Sequence, residues 1–316
     1  MVNPTAIHLD ICSICQLDCP LCITKEGRSV IGSGCLRFED FKTLVDRNSR
    51  ISTIEFANKG EIFLNKDLVH ILKYAHERNV STDIGHGVNL NHASDDMLEA
   101  LVKYQVARLR VSIDGMTQNT YQTYRVGGNL VRVIENIKTI NDYKEKYQSS
   151  KPHLIFQFIV FGHNEHEIAR VGLLARLLKM EMCFFLNRVP DELSVRDRTH
   201  VRQCVGYADR GESLLKEGKS YMRHKCYQMW IKPHINWDGT LLGCSSNVWG
   251  SYAGRVFDSD LVEQFNNDKM QYCRDMLMGT HPPREDIPCI KCSNYRDLLE
   301  TGNWLTESEV YGSTRD

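Results

Sequence analysis

Three cysteines stand close together in Cys15-Gln16-Leu17-Asp18-Cys19-Pro20-Leu21-Cys22, spaced C-x3-C-x2-C. As thiolates, residues this close can converge on one metal centre. A closed structural zinc site takes four ligands, and a [4Fe–4S] cluster has four irons. Three thiolates on such a cluster leave one iron open, where a chelating cofactor or substrate can bind and accept an electron. Cys12 extends the run to C-x2-C-x3-C-x2-C and also permits a four-thiol zinc site.

A second set lies far downstream. Cys226 is followed by twelve residues, Gly239, four residues and Cys244, and later by Cys289-Ile290-Lys291-Cys292. Between the first two, Ile235 to Leu242 reads as a hairpin turning at Asp238-Gly239. Two thiols flanking a hairpin and a distant C-x2-C complete a four-thiolate site, and spacing alone leaves zinc and [4Fe–4S] both open. Cys12, Cys35, Cys183, Cys204 and Cys273 are left over, and buried free thiols are common. Cys273 falls in an amphipathic stretch from Met270 to Met278 and is a weak candidate hydrogen donor.

The elements that must position these thiols follow from periodicity. Ile7 to Ile11, Ile51 to Phe56, Val80 to Ile84, Ala107 to Ile113, Leu154 to Phe161 and Met182 to Leu186 read as strands. Between them, 38–45, 67–77, 97–104, 130–147 and 165–178 read as helices, the fourth with Val131, Ile134, Ile137 and Ile140 on one face. Asn164 and Glu167 are expected to form a capping box at the start of the fifth. His163 and His166 stand at metal-like spacing there, without a third ligand, and are assigned no metal. About six β-α units predict a parallel sheet, either a partial barrel or an open doubly wound sheet, with functional residues at the carboxyl ends of strands. Periodicity breaks after Asn187, and Arg188 to Lys219 reads as a polar linker and lid.

Composition sets bounds. The chain has 316 residues, 12 of them cysteine, with 42% hydrophobic and 25% charged residues and a net charge of −1. No basic excess points to nucleic acid, no long apolar run to a membrane, and the start has no secretory signal pattern. Twelve cysteines without an export signal predict a reducing cytoplasm and metal ligation rather than disulfides.

The C-x3-C-x2-C motif after the first strand resembles that of the radical S-adenosylmethionine (SAM) enzymes. The resemblance implies that Cys15, Cys19 and Cys22 hold a [4Fe–4S] cluster whose open iron is chelated by SAM. Reductive cleavage of SAM then yields a 5′-deoxyadenosyl radical that takes a hydrogen atom from the substrate. It also favours the partial (β/α)6 TIM-like barrel. Lys59-Gly60-Glu61 is similar to the family's Gly-Gly-Glu segment, in which the Glu accepts from the SAM amino group; Lys59 replaces the first Gly. Gly85-His86-Gly87-Val88-Asn89 stands where relatives place a Thr-Asn-Gly turn, with His86 either touching substrate or capping the turn. Ser112-Ile113-Asp114-Gly115 looks like the family's Ser-Ile-Asp-Gly signature, whose Ser112 and Asp114 share one side and can bond a ribose or substrate hydroxyl. Arg125 resembles the arginine that pairs with the cofactor carboxylate, for which its planar fork is suited. Leu21 and Gly60 join the cofactor-binding set, and Val160 lies in the apolar backbone placed to flank the adenine.

The downstream set, Cys226, Cys244, Cys289 and Cys292, resembles a SPASM/twitch domain holding one auxiliary [4Fe–4S] cluster. The implied division is a barrel over 1–200 and a smaller β-hairpin/α auxiliary-cluster domain over 201–316. Residues 235–250 are similar to a bacterial subgroup often associated with glycan or antibiotic-sugar biosynthesis, where a second Cys commonly follows the ligand Cys. In epimerases of this type a cysteine near that place returns a hydrogen atom to the substrate radical. Here the position is Ser245. Either the chain carries Ser in place of a donor thiol, or its reaction needs none. The expected activity is epimerisation of a carbohydrate or aminoglycoside-like substrate. Dehydrogenation of an alcohol with the auxiliary cluster as electron acceptor, or peptide modification, are the alternatives. A flavodoxin- or ferredoxin-type protein is the expected electron donor, and a zinc-stabilised binding protein is the alternative of another class. Anaerobic reconstitution separates these: about eight iron atoms per chain are expected for two cubane clusters, and zinc without iron would leave only the binding protein.

Overall fold

Each strand of this chain alternates residues that must be dry with residues that must not, and that alternation decides what faces what. In the computed structural model, which describes residues 1–56, 59–187 and 193–312, six parallel strands form in chain order: β1 (Ala6–Leu9), β2 (Thr53–Phe56), β3 (Ser81–Val88), β4 (Arg108–Ser112), β5 (His153–Val160) and β6 (Glu181–Leu186). Helices cross between them, as parallel pairing requires. β3 runs beyond its expected end, its pairing with β4 resuming at Val88 after an irregularity at which Gly87 takes φ +91°. The result is a curved parallel sheet of the partial TIM-like type expected.

Three short strands continue the same sheet past β1. β7 (His234–Ile235) pairs parallel with β1, and β8 (Thr240–Gly243) and β9 (Ala253–Arg255) follow antiparallel. The turn between β7 and β8 falls at Asp238-Gly239 as predicted: Gly239 has φ +93°, and Asp238 Oδ1 accepts from the Thr240 amide at 2.9 Å. The hairpin thus brings the second cysteine set to the edge of the sheet whose neighbouring strand leads into the first.

The outward face carries the core. Ile7, Leu9, Ile54, Phe56, Leu109, Val111, Phe156 and Phe158 are buried on it. The helix Leu130–Lys146 packs there through Leu130, Val133, Ile137 and Ile140. Val131, expected on that face, is 60% exposed. Steps of three drift around a helix, whereas steps of three, four and three stay on one side.

The opposite face is polar. His8 is the direct neighbour of Glu55 across β1–β2, Glu55 of Asp83 across β2–β3, and His8 of His234 across β1–β7. Side chains on this row therefore point the same way, towards the concave side, with Ser112 and Gln157 farther along β4 and β5.

Three sequence expectations fail. The stretch 198–217 is not linker but two helices, Arg198–Val205 and Arg210–Glu217, capped by Asp197 and Asp209. Glu212 joins them through Arg202 at 2.6 Å and pairs within its own helix with Lys216 at 2.9 Å, so the charges that suggested a linker are the pairing itself; Arg188 and residues 189–192 lie outside the described residues. No capping box forms after β5: Asn164 Oδ1 turns back to accept from the Phe161 amide, and Glu167 accepts from the Met116 amide. Cysteine usage predicts metal ligation rather than disulfides, yet Cys12, which spacing also allowed as a fourth zinc thiol, lies opposite Cys35 in an isolated antiparallel bridge and is joined to it in a disulfide. No helix among the described residues is long and apolar enough to cross a membrane.

Phe156 is fully buried on the outward face of β5. Phe156→Ala is expected to cost about 3–5 kcal/mol in chemical denaturation, a loss below about 1 kcal/mol contradicting this packing.

Candidate active site

The cysteine loop leaves β1 and closes over the carboxyl end of the sheet. Ser13 fastens its start, bonding Gly34 through backbone and side chain. The amide of Glu61 donates to the Ile14 carbonyl at 2.8 Å, tying the loop after β2 beneath it. Gly60 has φ +73° at this crossing, and a Cβ there would overlap the backbone of Cys12 and Ser13. Only glycine fits, which explains the Gly kept beside Lys59; Asn58 lies outside the described residues.

Cys15, Cys19 and Cys22 then line one cavity of about 710 Å³ together with Leu21, Gly60, Glu61, Ser112, Arg125 and Ser245. Buried Glu61 accepts from the Asn89 amide at 2.6 Å, and burial pushes its carboxyl up to about 7. The Arg125 guanidinium stands 3.8 Å from Cys19 Sγ and pairs with Asp114 at 2.6 Å. Burial opposes its charge, but Asp114 and Cys19 together raise its pKa. Asn89 donates to Cys15 Sγ at 3.6 Å, and the Leu17 amide to the same sulfur at 3.4 Å.

Two predicted cofactor contacts stand elsewhere. Asp114 is fully buried and does not line the cavity; it orients Arg125 and accepts from the Ile159 amide at 2.7 Å. Val160 points to the core by strand alternation, while Ile159 and Phe161 form the wall. Gln157 and Asn89 were not singled out from sequence. Gln157 donates to Ser112 Oγ at 3.0 Å and also lines the wall; its signal was a lone amide in an apolar strand.

Cys226, Cys244, Cys289 and Cys292 are all buried around a second, smaller cavity, and Cys292 also lines the large one. Cys273 is fully buried 3.4 Å from Cys289, with the Tyr252 hydroxyl 3.0 Å away. It therefore stands behind the ligand set rather than in the cavity, which removes it as a donor to anything bound there.

Sulfur spacing tests which metal each set fits. Around tetrahedral zinc at 2.3 Å, thiolate sulfurs lie about 3.8 Å apart, whereas the corners of a cubane cluster stand farther apart. Among the described residues only His8, Glu55 and His86 bring three metal-ligating atoms within 4.8 Å of one another. No three cysteine sulfurs among the described residues come that close to one another, so neither set stands at the spacing zinc takes. Burial pushes the Cys15 and Cys244 thiols up to about 12, so a bound cation is what would make them thiolates.

His8, Glu55 and His86 are themselves unsuited to a cation. Lys225 Nζ lies 2.9 Å from His86 Nε2, and Lys232 Nζ lies 2.9 Å from Glu55 Oε2. An ammonium only donates, so Nε2 must accept and the ring proton sits on Nδ1, which makes a short but poorly aligned 2.5 Å contact with Glu55. Two lysines already supply the positive charge, and the nitrogen a metal would need is protonated.

The radical SAM superfamily model matches residues 9–175, just over half the chain. The chain belongs to the radical SAM superfamily. As a radical SAM enzyme it works with SAM and a [4Fe–4S] cluster. Over 165 residues it is 25% identical to a GTP 3′,8-cyclase of Clostridium botulinum, covering 51% of this chain and 50% of the relative. It therefore spans about half the length of the curated relatives it matches. Streptococcus suis SuiB bound to S-adenosylmethionine superposes with a TM-score of 0.64 at 12% identity, over 93% of this chain and 72% of SuiB. Native anSMEcpe with bound AdoMet gives 0.57 at 13%, over 97% and 98%. BtrN in complex with AdoMet and 2-DOIA gives 0.53 at 16%, over 91% and 93%. At these identities the structures show a shared fold.

Asp114→Asn removes the charge that holds Arg125. Calorimetric titration of the reconstituted radical SAM enzyme is expected to show SAM binding weakened by about tenfold or more, with iron content unchanged. Undiminished affinity would mean that Arg125 does not depend on this pair.

Proposed function

We propose that this radical SAM enzyme abstracts a hydrogen atom from an unactivated C–H bond of a carbohydrate-like substrate, with epimerisation as the outcome. The observation carrying the reading is that Cys15, Cys19, Cys22, Glu61 and Arg125 line the same cavity as Ser245 and Cys292. In this reading the three cysteines hold the cleaving cluster, and Cys226, Cys244, Cys289 and Cys292 hold an auxiliary one in a domain spanning 201–316. When bound, cluster and cofactor supply a 5′-deoxyadenosyl radical. The chain's own residues do the rest. Glu61 accepts from the cofactor's ammonium, Arg125 donates to its carboxylate, and Ser112 with Gln157 offers hydroxyl and amide groups on the wall. Leu21, Ile159 and Phe161 keep that wall dry.

Ser245 directly follows the auxiliary-set Cys244 and lines the cavity; its amide donates to Gln228 Oε1 at 2.7 Å. Its O–H bond is too strong to yield a hydrogen atom readily, so the native outcome turns on this side chain. Dehydrogenation is the second reading, favoured by Cys292: a ligand of the auxiliary set lining the cavity gives an electron a short way out. Peptide modification is a third, since SuiB bound to precursor peptide SuiA is among the folds matched. A flavodoxin- or ferredoxin-type protein supplies the electron in each.

Anaerobic reduction with SAM is expected to release 5′-deoxyadenosine, and its absence would end the reading. Ser245→Cys is expected to confer turnover with one solvent deuterium incorporated at carbon. A product two mass units lighter, indifferent to that change, would instead mark a dehydrogenase.

SAM affinity is expected to depend on pH through Glu61. Burial pushes its carboxyl up to about 7, and the carboxylate accepts from an ammonium far more strongly than the neutral acid does. Binding should strengthen as pH rises through about 7, and Glu61→Gln should bind weakly with a flat profile; a pH-independent wild type would remove Glu61 from this role.

A further inference from the structure

A fifth thiol stands beside the second cysteine set. Cys273 lies on the helix Asp268–Leu277, is fully buried, and stands 3.4 Å from Cys289 Sγ. The hydroxyl of buried Tyr252 joins them, 3.0 Å from Cys273 Sγ and 3.2 Å from Cys289 Sγ.

Cys273 and Cys289 cannot both be terminal ligands of one centre. At 3.4 Å their sulfurs are closer than the about 3.8 Å between thiolates on zinc, and the corners of a cubane cluster stand farther apart still. Cys289 shares a short turn with Cys292, whose amide donates to the Cys289 carbonyl at 2.9 Å, and both line the smaller cavity, which Cys273 does not. Cys289 is therefore the ligand, and Cys273 is a thiol behind it with an S–H to donate.

Tyr252 is held in place from two sides. Gly243, next to Cys244, has φ +79°, and a Cβ there would overlap the Tyr252 ring, so the ring fills the space a side chain would take. Asn267 caps the helix that carries Cys273, accepting from the Met270 amide at 2.9 Å, while its Nδ2 donates to the Tyr252 carbonyl at 3.2 Å. One asparagine thus fixes both groups relative to each other.

A buried tyrosine hydroxyl needs a hydrogen-bond partner. A thiol sulfur accepts only weakly, whereas a metal-bound thiolate is a charged acceptor and holds an O–H donor more strongly. The pairing with sulfur therefore suits Cys289 in its ionised, metal-bound state. Donors at the sulfurs of a cluster offset its negative charge. Reduction adds more of that charge, so such donors favour the reduced form.

We propose that Tyr252 and Cys273 are positioning residues for the auxiliary cluster, donating O–H and S–H hydrogen bonds to Cys289 and raising the potential at which that cluster takes up an electron. This rests on the reading that Cys226, Cys244, Cys289 and Cys292 hold a [4Fe–4S] cluster. It deepens that reading by naming the residues that set how readily the cluster is reduced, the property on which dehydrogenation turns.

Reconstituted enzyme is titrated electrochemically with SAM present and followed by electron paramagnetic resonance, SAM perturbing the signal of the first cluster and leaving that of the second. At the wild-type midpoint of the second cluster, Tyr252→Phe is expected to raise the ratio of oxidised to reduced cluster about tenfold, a fall of about 59 mV for one electron. Cys273→Ala should shift the midpoint in the same direction, and Cys273→Ser, which restores a donor, should return it towards the wild-type value. Tyr252→Phe keeps the ring against Gly243, and iron content with circular dichroism checks that each variant is folded and loaded. Midpoints unchanged in Tyr252→Phe and Cys273→Ala at about eight irons per chain would overturn the tuning and leave the cluster reading standing. Loss of about four irons in folded Cys273→Ala would make Cys273 a ligand and overturn the assignment as well. About four irons in the wild type, with 5′-deoxyadenosine still released, would defeat the auxiliary-cluster reading and the proposal with it.

Discussion

The buried pair of Asp114 and Arg125, 2.6 Å apart, is what the active cavity hangs on. Asp114 belongs to the end of β4, yet it also accepts from the Ile159 amide of β5, and its own carbonyl accepts from the Asn164 side chain. Arg125 reaches from the next helix end to Cys19, and its neighbour Val126 accepts from the Asp18 amide inside the cysteine loop. Two strand ends, a helix end and the metal-binding loop are thereby joined through one charge pair. A buried ion pair stabilises little by itself, but leaving either partner alone in a dry site is costly. The arrangement therefore acts more as a positioning device than as a source of stability.

The concave face of the sheet follows a different rule from most barrel interiors, which are filled with layers of branched apolar side chains. Here a row of His234, His8, Glu55 and Asp83 crosses four strands. Such a row survives burial only because its charges are matched, Glu55 by Lys232, Asp83 by Arg108 and His234 by Asp10. Within this row, His8 has both ring nitrogens without a hydrogen-bond partner. Burial pushes its pKa well below the usual range, so it stays neutral there. Beside this row His86 lines the cavity, standing between Glu55 and Lys225.

The two cysteine sets are brought together by sheet continuation. Because β7 adds to the edge of β1, the chain after residue 226 is carried to the side of the strand that feeds the first set. Cys292, which no local pattern connects with Cys15, comes to line the same cavity. The hairpin with its Asp238-Gly239 turn is a local device with a long-range effect.

What the amino-acid order determined by itself was whatever depends on neighbours within a few residues. The six strands of alternating apolar residues, the glycine turn, the two thiol groupings and the residues of the cofactor signatures all fall in this class, since periodicity and ligand spacing are local properties. Tertiary structure alone decided the rest. It made Asp114 a support for Arg125 rather than a ligand contact, turned Val160 into the core and gave the wall to Ile159 and Phe161. It removed Cys12 into a bond with Cys35, and set Cys273 behind Cys289. The physical reason is that a polar or sulfur-bearing side chain takes the partner nearest in space and an apolar one the face its strand gives it, and both depend on strand register and loop closure rather than on neighbours in sequence.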